Sequence, residues 1–173
     1  MARYSTSIES QTAQGAGVNA GTTVNGYIGY WGASATAGFR LRRATVGLRT
    51  TTTASITNQQ IVIGIYRQTV APAGTGLAAA VLGQPLETWT PQTDPTVGMI
   101  ATTAGTIGTT GPTLSATPVK KLVLNSQNSW DYPFEFNEEL VCGIGTANGF
   151  GFVILNNALP ALSVAVIDVE IEV

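Results

Sequence analysis

The chain has 173 residues, of which 44% are hydrophobic and 10% are charged, and its formal net charge at pH 7 is −2. This length suits one domain, and the hydrophobic fraction excludes a disordered chain. With no histidine and one cysteine, the chain has no internal disulfide bond, no cysteine-rich zinc site and no usual general base for a serine or cysteine nucleophile.

The first segment, residues 1–20, predicts an N-terminal arm that lies on a neighbouring molecule. It has no apolar run after Arg3, which argues against a secretory signal. Loops rich in glycine, proline and threonine interrupt the rest of the chain, and no change of composition marks a second domain. We therefore predict a single β-sandwich domain over residues 21–173.

Alternation of apolar and polar residues with a period of two recurs along the chain and predicts β-strands. The clearest case is the segment 163–173, where alternate residues are acidic, so one face is predicted to be buried and the other solvated. Residues 59–69 are apolar on both faces, which predicts a strand in the centre of a sheet. Further strands are predicted at 24–31, 97–103 and 120–125.

The segment 39–50 has the alternation of a strand, but with a change of phase. Its apolar residues change parity between Leu41 and Val46. A β-bulge near Arg42 and Arg43 would keep the apolar side chains on the core face. The bulge would also let both arginines reach solvent or a partner.

Eight or more short strands separated by turn residues are typical of an antiparallel β-sandwich or barrel. The long connections favour a jelly roll, with an immunoglobulin-type sandwich as the alternative. The one helix candidate is the glycine-bounded segment 75–83, which has room for at most two turns. We predict an all-β fold: an antiparallel β-sandwich, a jelly roll, with an N-terminal arm and at most one short helix.

The segment 138–157 contains glycines spaced G-x-G-x-x-x-G-x-G, which raises the question of a phosphate-binding loop. A dinucleotide-binding loop requires a strand followed by a helix. The residues after Gly149 are instead aromatic and β-branched, and they predict a strand. Because Asn148-Gly149 between two apolar runs is typical of a tight turn, we predict a hairpin of two core strands, with Cys142 buried in the core.

No residue pattern of a catalytic, cofactor-binding or metal site is found. Asp131, Glu135 and Glu138 lie among aromatic residues. A glycosidase uses two carboxyl groups, but nothing in the spacing of these three residues selects a pair. Glu138 and Glu139 are adjacent, so on a strand they would face opposite ways. We predict a protein that is not an enzyme and that has no cofactor.

Nucleic acid and membrane are not predicted as partners. The net charge is −2 and no Lys/Arg-rich tail exists, whereas phosphate binding needs a broad basic surface. A membrane-spanning helix needs about 20 mainly apolar residues. The uncharged segment 143–167 contains Pro160 and four glycines, so we do not predict that it spans a membrane.

Charge is distributed unevenly along the chain. No acidic residue occurs between Ser10 and Leu86, where five arginines lie, whereas nine acidic residues and two lysines lie from Glu87 onward. Two interpretations remain open: each half solvates its own strands, or a basic side of the molecule meets an acidic neighbour such as another subunit.

Three features of the second half of the chain are shared with a known family. An aromatic-rich loop leads into NEELVCGIG, a glycine-containing turn leads into GFGFVILNN, and a strand ends the chain. With the arginine-rich segment FRLRRATVGLRT, this pattern resembles the jelly-roll cement or decoration (minor capsid) proteins of tailed-bacteriophage heads. The resemblance extends over residues 39–173.

The resemblance implies a structural protein of the virion. Such a protein is a homotrimer on the outer capsid surface, where it clamps neighbouring subunits of the major capsid protein, and the N-terminal arm would be the natural capsid-binding element. The low charge fits a surface that other subunits cover. The candidate partner-contact residues are Arg3, Tyr4, Trp31, Arg40, Arg42, Arg43 and Arg49.

Two other functions stay open. Trp31, Trp89 and Trp130 lie next to loops, where exposed rings can stack on sugars or fill a partner's pocket. They motivate a carbohydrate- or receptor-binding β-sandwich module of a virion spike or tail. A carboxylate-based glycosidase would require a groove that holds two carboxyl groups about 5 to 9 Å apart.

Overall fold

The structure is a computed structural model that describes the chain in separate stretches. These are residues 3–10, 17, 26–31, 38–52, 55–71, 74–75, 78–80, 99–101, 106–107, 111–135, 137–145, 147–156 and 158–172. They contain fourteen strands and no helix. The strands are β1 (Arg3–Glu9), β2 (Tyr27–Trp31), β3 (Phe39–Thr50), β4 (Gln60–Val70), β5 (Gly74–Thr75), β6 (Ala78–Ala80), β7 (Met99–Ala101), β8 (Thr106–Ile107), β9 (Thr113–Leu114), β10 (Lys120–Asn125), β11 (Trp130–Pro133), β12 (Leu140–Cys142), β13 (Gly149–Ile154) and β14 (Ser163–Glu172).

Ten of these strands form two five-stranded antiparallel sheets. The first sheet has the order β1-β14-β3-β11, and β12 also pairs with β3. The second sheet has the order β10-β4-β13-β2, and β9 also pairs with β4. The two sheets pack against each other, which confirms the predicted β-sandwich.

The core lies between the two sheets. Alternate residues of β4 and β13 are buried and face it, as the period of two requires: Ile61, Ile63, Ile65, Phe150, Phe152 and Ile154. Across the core, Phe39 meets Phe150 edge to face, with ring centroids 5.8 Å apart. The Tyr30 hydroxyl donates a hydrogen bond of 3.0 Å to the Ile167 carbonyl in the other sheet. Fully burying one such aliphatic or aromatic side chain contributes about 1.5 to 3 kcal/mol.

The prediction that residues 59–69 form a central strand is confirmed. β4 lies between β10 and β13, and it pairs with both along most of its length. The residues of β4 that face away from the core are also partly covered, because Tyr66 lies over Gly64 and packs in a second, smaller apolar cluster with Val153. This cover on both faces explains the continuous apolar sequence.

The predicted β-bulge is also confirmed. In the ladder between β14 and β3, Glu170 faces Arg43 and Ile171 faces Leu41, so Arg42 is the extra residue. The apolar residues before and after the bulge stay on the buried face. As a consequence, two consecutive arginines lie on the opposite face.

The predicted arm is not separate from the sandwich. β1 pairs with β14 from Arg3↔Glu172 to Glu9↔Val166, as an edge strand of the first sheet. Tyr4, Thr6 and Ile8 are buried, so the segment has a strand's alternation and a core-facing side. The sandwich therefore begins before residue 21, while residues 11–16 and 18–20 of the predicted arm lie outside the described residues.

The predicted helix at 75–83 is wrong where the chain is described. Residues Gly74–Thr75 form β5, which pairs with β8, and Ala78–Ala80 form β6, which pairs with β7. An isolated helix of two turns is marginal in water, whereas each of these segments has a strand partner. Residues 76–77 and 81–83 lie outside the described part.

The predicted hairpin at Asn148-Gly149 is wrong. β12 pairs with β3 in the first sheet, whereas β13 lies between β2 and β4 in the second, so the segment between β12 and β13 crosses from one sheet to the other. Gly145 has a φ of 146° in this crossing, and the Asn148 side-chain amide donates a hydrogen bond of 2.9 Å to the Ile144 carbonyl. The crossing is therefore braced by its own polar groups.

Candidate functional site

The outer side of the first sheet carries most of the charge in the described residues, and we call it the arginine face. Its charged side chains come from β1, β3, β11, β14 and the residue before β12, at positions that alternate with core residues. They are Arg3, Glu9, Arg40, Arg42, Arg43, Arg49, Asp131, Glu139, Asp168, Glu170 and Glu172.

Arg42, the bulge residue, lies at the centre of a cluster of ion pairs. Its Nε donates a hydrogen bond of 2.7 Å to Glu172, and its Nη1 contacts the carboxylate of Glu139. Arg40 and Arg3 flank these carboxylates, at 3.6 Å from Glu139 and 3.7 Å from Glu172. The two glutamate side chains are only 5% exposed, so the guanidinium between them compensates two carboxylates that are largely removed from water.

Burial and the arginines act on the pKa of Glu172 in opposite directions. Burial raises this pKa, whereas the hydrogen bond from Arg42 and the positive charges of Arg42, Arg3 and Arg40 lower it. The arginines together outweigh burial, and the pKa lies below the ordinary value for glutamate.

The second group on the arginine face is centred on Arg43. Its Nε and Nη2 donate hydrogen bonds of 2.8 and 2.6 Å to the two oxygens of Asp131, and its Nη1 lies 3.4 Å from Glu170. The Thr45 hydroxyl donates a further hydrogen bond of 2.9 Å to Asp131. The hydrogen bonds from Arg43 and Thr45 lower the pKa of Asp131 to about 2.

Replacing Arg43 by glutamine is expected to raise the pKa of Asp131 from about 2 toward its ordinary value of about 3.9. Because the folded-state pKa is lowered, this pair stabilises the native state above the unfolded pKa, and the contribution disappears as the pH falls through the folded pKa. A carbon-detected NMR titration of the Asp131 carboxyl group measures this. Arg49→Gln is the control and should leave the titration of Asp131 unchanged.

Arg49 forms the third group with Glu9. Its Nε donates a hydrogen bond of 2.7 Å to one Glu9 oxygen and its Nη2 contacts the other. The hydrogen bond from Arg49 lowers the pKa of Glu9, against a smaller opposing effect of burial. Both side chains are about half exposed, so the pair is a surface ion pair.

On the arginine face, arginines from the first half of the chain pair with carboxylates from the second half. The basic first half of the chain and the acidic second half meet within one molecule, because β14 lies between β1 and β3 and places its acidic residues beside their arginines. Each of the five predicted contact arginines has a carboxylate within ion-pair distance. Tyr4 and Trp31 are 1% and 5% exposed, so their side chains lie in the interior and offer no surface to a partner.

A row of aromatic rings closes the side of the sandwich between β10 and β11. Trp130 and Tyr132 are stacked with centroids 5.1 Å apart, and Phe134 meets Tyr132 edge to face. The Lys120 ammonium lies 4.4 Å from the centre of the Tyr132 ring and donates a hydrogen bond of 2.9 Å to its hydroxyl. A cleft of about 210 Å³ is lined here by Lys120, Tyr132 and Glu138. Trp89 lies outside the described residues.

Other residues considered for catalysis or metal binding are buried or held in contacts within the chain. Cys142 is buried, as predicted, and burial raises the pKa of its thiol to about 11, which suppresses the reactive thiolate at neutral pH. Asp131 is bound to Arg43, and Glu138 accepts a hydrogen bond of 3.4 Å from Tyr132. Within the described stretches no three histidine, cysteine or acidic side chains are grouped so that they could hold a metal ion.

The same stretches contain no helix of the length and apolarity that crossing a membrane requires.

Arg67 is the one arginine that was not among the predicted contact residues. It lies on β4, and its Nη1 donates a hydrogen bond of 3.0 Å to the Val141 carbonyl at the edge of the first sheet. No carboxylate of the described residues is within ion-pair distance of it. What sets Arg67 apart in the sequence is its isolation, because the other four arginines between Ser10 and Leu86 lie together on one strand.

No protein-family model, curated protein or solved structure matches the chain significantly.

Proposed function

We propose that this chain is a non-enzymatic structural protein of a virion, a cement or decoration protein that binds the outside of a phage capsid. It would stabilise the contacts between major capsid subunits. The observation that carries this proposal is the arrangement of charge. Eleven of the 18 charged residues lie on the arginine face and largely compensate one another there.

The rest of the described surface is correspondingly poor in charge, and it exposes large apolar side chains. Val70, Val119 and Val123 on or beside β4 and β10 are 42%, 42% and 52% exposed. Depletion of charge around exposed apolar groups is typical of the centre of a protein–protein interface. A rigid sandwich with such a surface can bridge neighbouring subunits without folding on binding, which supports a cementing role.

The proposal predicts saturable binding of the purified chain to purified capsid shells that lack it, measured by co-sedimentation. Because a ligand that binds only the assembled state stabilises that state by mass action, the decorated shells should also withstand higher temperature than bare shells. A mixture in which the chain stays in the supernatant at every concentration would overturn the proposal.

We further infer that the sandwich is a jelly roll. With β11 and β12 counted as one strand and β9 and β10 as another, the eight long segments alternate between the sheets in chain order at every step except one, because the fourth and fifth segments pair within the second sheet. Their orders are 1-8-3-6 and 5-4-7-2. This arrangement is what two interlocked Greek keys require. A homotrimer remains part of the proposal, and sedimentation equilibrium of the purified chain tests it.

The aromatic row favours one other function, a carbohydrate- or receptor-binding module. Beside the stacked Trp130 and Tyr132 rings, Lys120 and Glu138 line a cleft with the polar groups that a sugar would need. The Tyr132 ring is already stacked on Trp130, and its hydroxyl already accepts a hydrogen bond from Lys120. A glycan array in which Trp130→Ala abolishes a signal of the wild-type chain would favour this function over the cementing role.

A further inference from the structure

The guanidinium of Arg67 is anchored on one side and open on the other. Arginine has five N–H donors in a planar fork. In Arg67, Nη1 is engaged with the Val141 carbonyl, and no acceptor for Nε or Nη2 occurs among the described residues. The hydrogen bond to Val141 holds one side of the group and leaves the opposite edge open.

Two other arginines of the chain show what this edge binds. In Arg43 the Nε and Nη2 groups hold both oxygens of Asp131, and in Arg49 the same two groups hold both oxygens of Glu9. Parallel hydrogen bonds of this kind are the strong, geometrically specific way in which arginine binds a carboxylate. In Arg67 the corresponding edge has the same chemistry and no carboxylate of the described chain.

The surroundings of Arg67 form a site that can admit a protein segment. A cleft of about 220 Å³ is lined by Arg67, Thr69, Asn148 and backbone of Gly143. A second cleft of about 220 Å³, which also borders Val141, is lined by Phe39, Arg40, Ile144 and Glu172. Val141 is 46% and Ile144 is 62% exposed, and the braced crossing between β12 and β13 holds Ile144 in place.

We propose that this end of the sandwich is the docking site for a partner protein, and that Arg67 binds an Asp or Glu carboxylate of that partner beside the apolar contacts of Val141 and Ile144. The positive charge that lacks a carboxylate in the described chain determines the chemistry of the occupant, and the exposed apolar side chains beside it favour a protein segment over a free small acid. The inference rests on the proposed function, in which the partner is the shell.

The site itself is tested on the isolated chain with acetate as the probe. In an NMR titration, the Nε–H signal of Arg67 should shift with acetate, whereas the corresponding signals of Arg43 and Arg49 should not, because their edges are filled. Chloride at the same ionic strength is the control for screening. An Arg67 signal that does not respond to acetate overturns the proposal.

The partner is tested by shell binding. Arg67→Gln removes the charge but keeps a polar side chain, and Ile144→Ser removes the apolar contact. Each should weaken binding at least about tenfold, the effect of losing an interface anchor. The matched controls Arg49→Gln and Leu162→Ser change another exposed arginine and another exposed aliphatic residue elsewhere, and should stay within about twofold of wild type.

The outcomes separate the two proposals. Wild-type binding that Arg67→Gln does not weaken overturns the docking site and leaves the cementing role intact. A response to acetate without any wild-type binding to shells overturns the cementing role, while the carboxylate site stands. Circular dichroism and thermal unfolding of each variant show whether a loss of binding reflects loss of the fold.

Discussion

Replacing Gly149 by alanine is expected to lower the free energy of unfolding by about 3 kcal/mol, at the upper end for an overpacked interior. A β-carbon at this position would overlap the backbone carbonyl of Tyr30 and lie 2.7 Å from the Cα of Trp31. These are backbone atoms of β2, the strand that pairs with β13, so no rotamer change can relieve the contact. Equilibrium denaturation in urea measures the loss.

The matched control is Gly47→Ala on β3. A β-carbon there would have only one neighbour, the Ser129 Cβ at 3.6 Å, which is an ordinary contact. Since alanine restricts the unfolded chain more than glycine does, this variant should be as stable as wild type or more stable by about 0.5 kcal/mol. Equal stability of Gly149→Ala and Gly47→Ala would contradict the close approach of β2 and β13.

The strands and the fold class were predictable because they depend on local periodicity. The acidic alternation of β14, the continuous apolar run of β4 and the change of phase in β3 each follow from which side chains face the core. The bulge at Arg42 could be placed within two residues. One inserted residue is what keeps the apolar residues of β3 before and after the change of phase on the same, core-facing side.

The path of the chain between the sheets was not predictable from the same signals. Asn148-Gly149 is a strong local turn signal, but a local signal does not say to which sheet the next strand belongs. Gly149 lies where β13 approaches β2, and its missing side chain serves that approach rather than a hairpin. The helix prediction failed for a related reason, because the strand partners of β5 and β6 are distant in sequence.

The ion pairs of the arginine face depend on the register between strands that are distant in sequence. The sequence showed a basic first half and an acidic second half. It left two interpretations open, that each half solvates its own strands or that a basic side meets an acidic neighbour. Only the pairing of β14 with both β1 and β3 places Glu172 between Arg3 and Arg42. The same pairing leaves Arg67, on the other sheet, without a carboxylate in the described chain.

Replacing Arg42 by methionine is expected to lower the free energy of unfolding by about 2 to 3 kcal/mol at pH 7. The change keeps an unbranched apolar stem but removes the guanidinium, which leaves Glu139 and Glu172, both 5% exposed, without the cation that they share. Removing one partner of a buried ion pair is costly because the other charges remain away from water. Denaturant unfolding at pH 7 measures the loss, and Arg49→Met, which removes a half-exposed pair, should cost much less.

The pH dependence distinguishes lost charge compensation from lost packing. In the wild-type chain the pKa of Glu172 is lowered, so its contribution is complete above the unfolded pKa of about 4.3 and is lost as the pH falls through the lower folded pKa. In Arg42→Met the positive charge that opposed the effect of burial is removed, so the pKa of Glu172 rises. As the pH falls, Glu172 is therefore protonated at a higher pH in the variant than in wild type, and the cost of its buried negative charge disappears there first. The stability difference between the two proteins should therefore shrink as the pH falls from 7 to below about 4. A difference that stays constant over this range would show that Arg42 acts through packing alone.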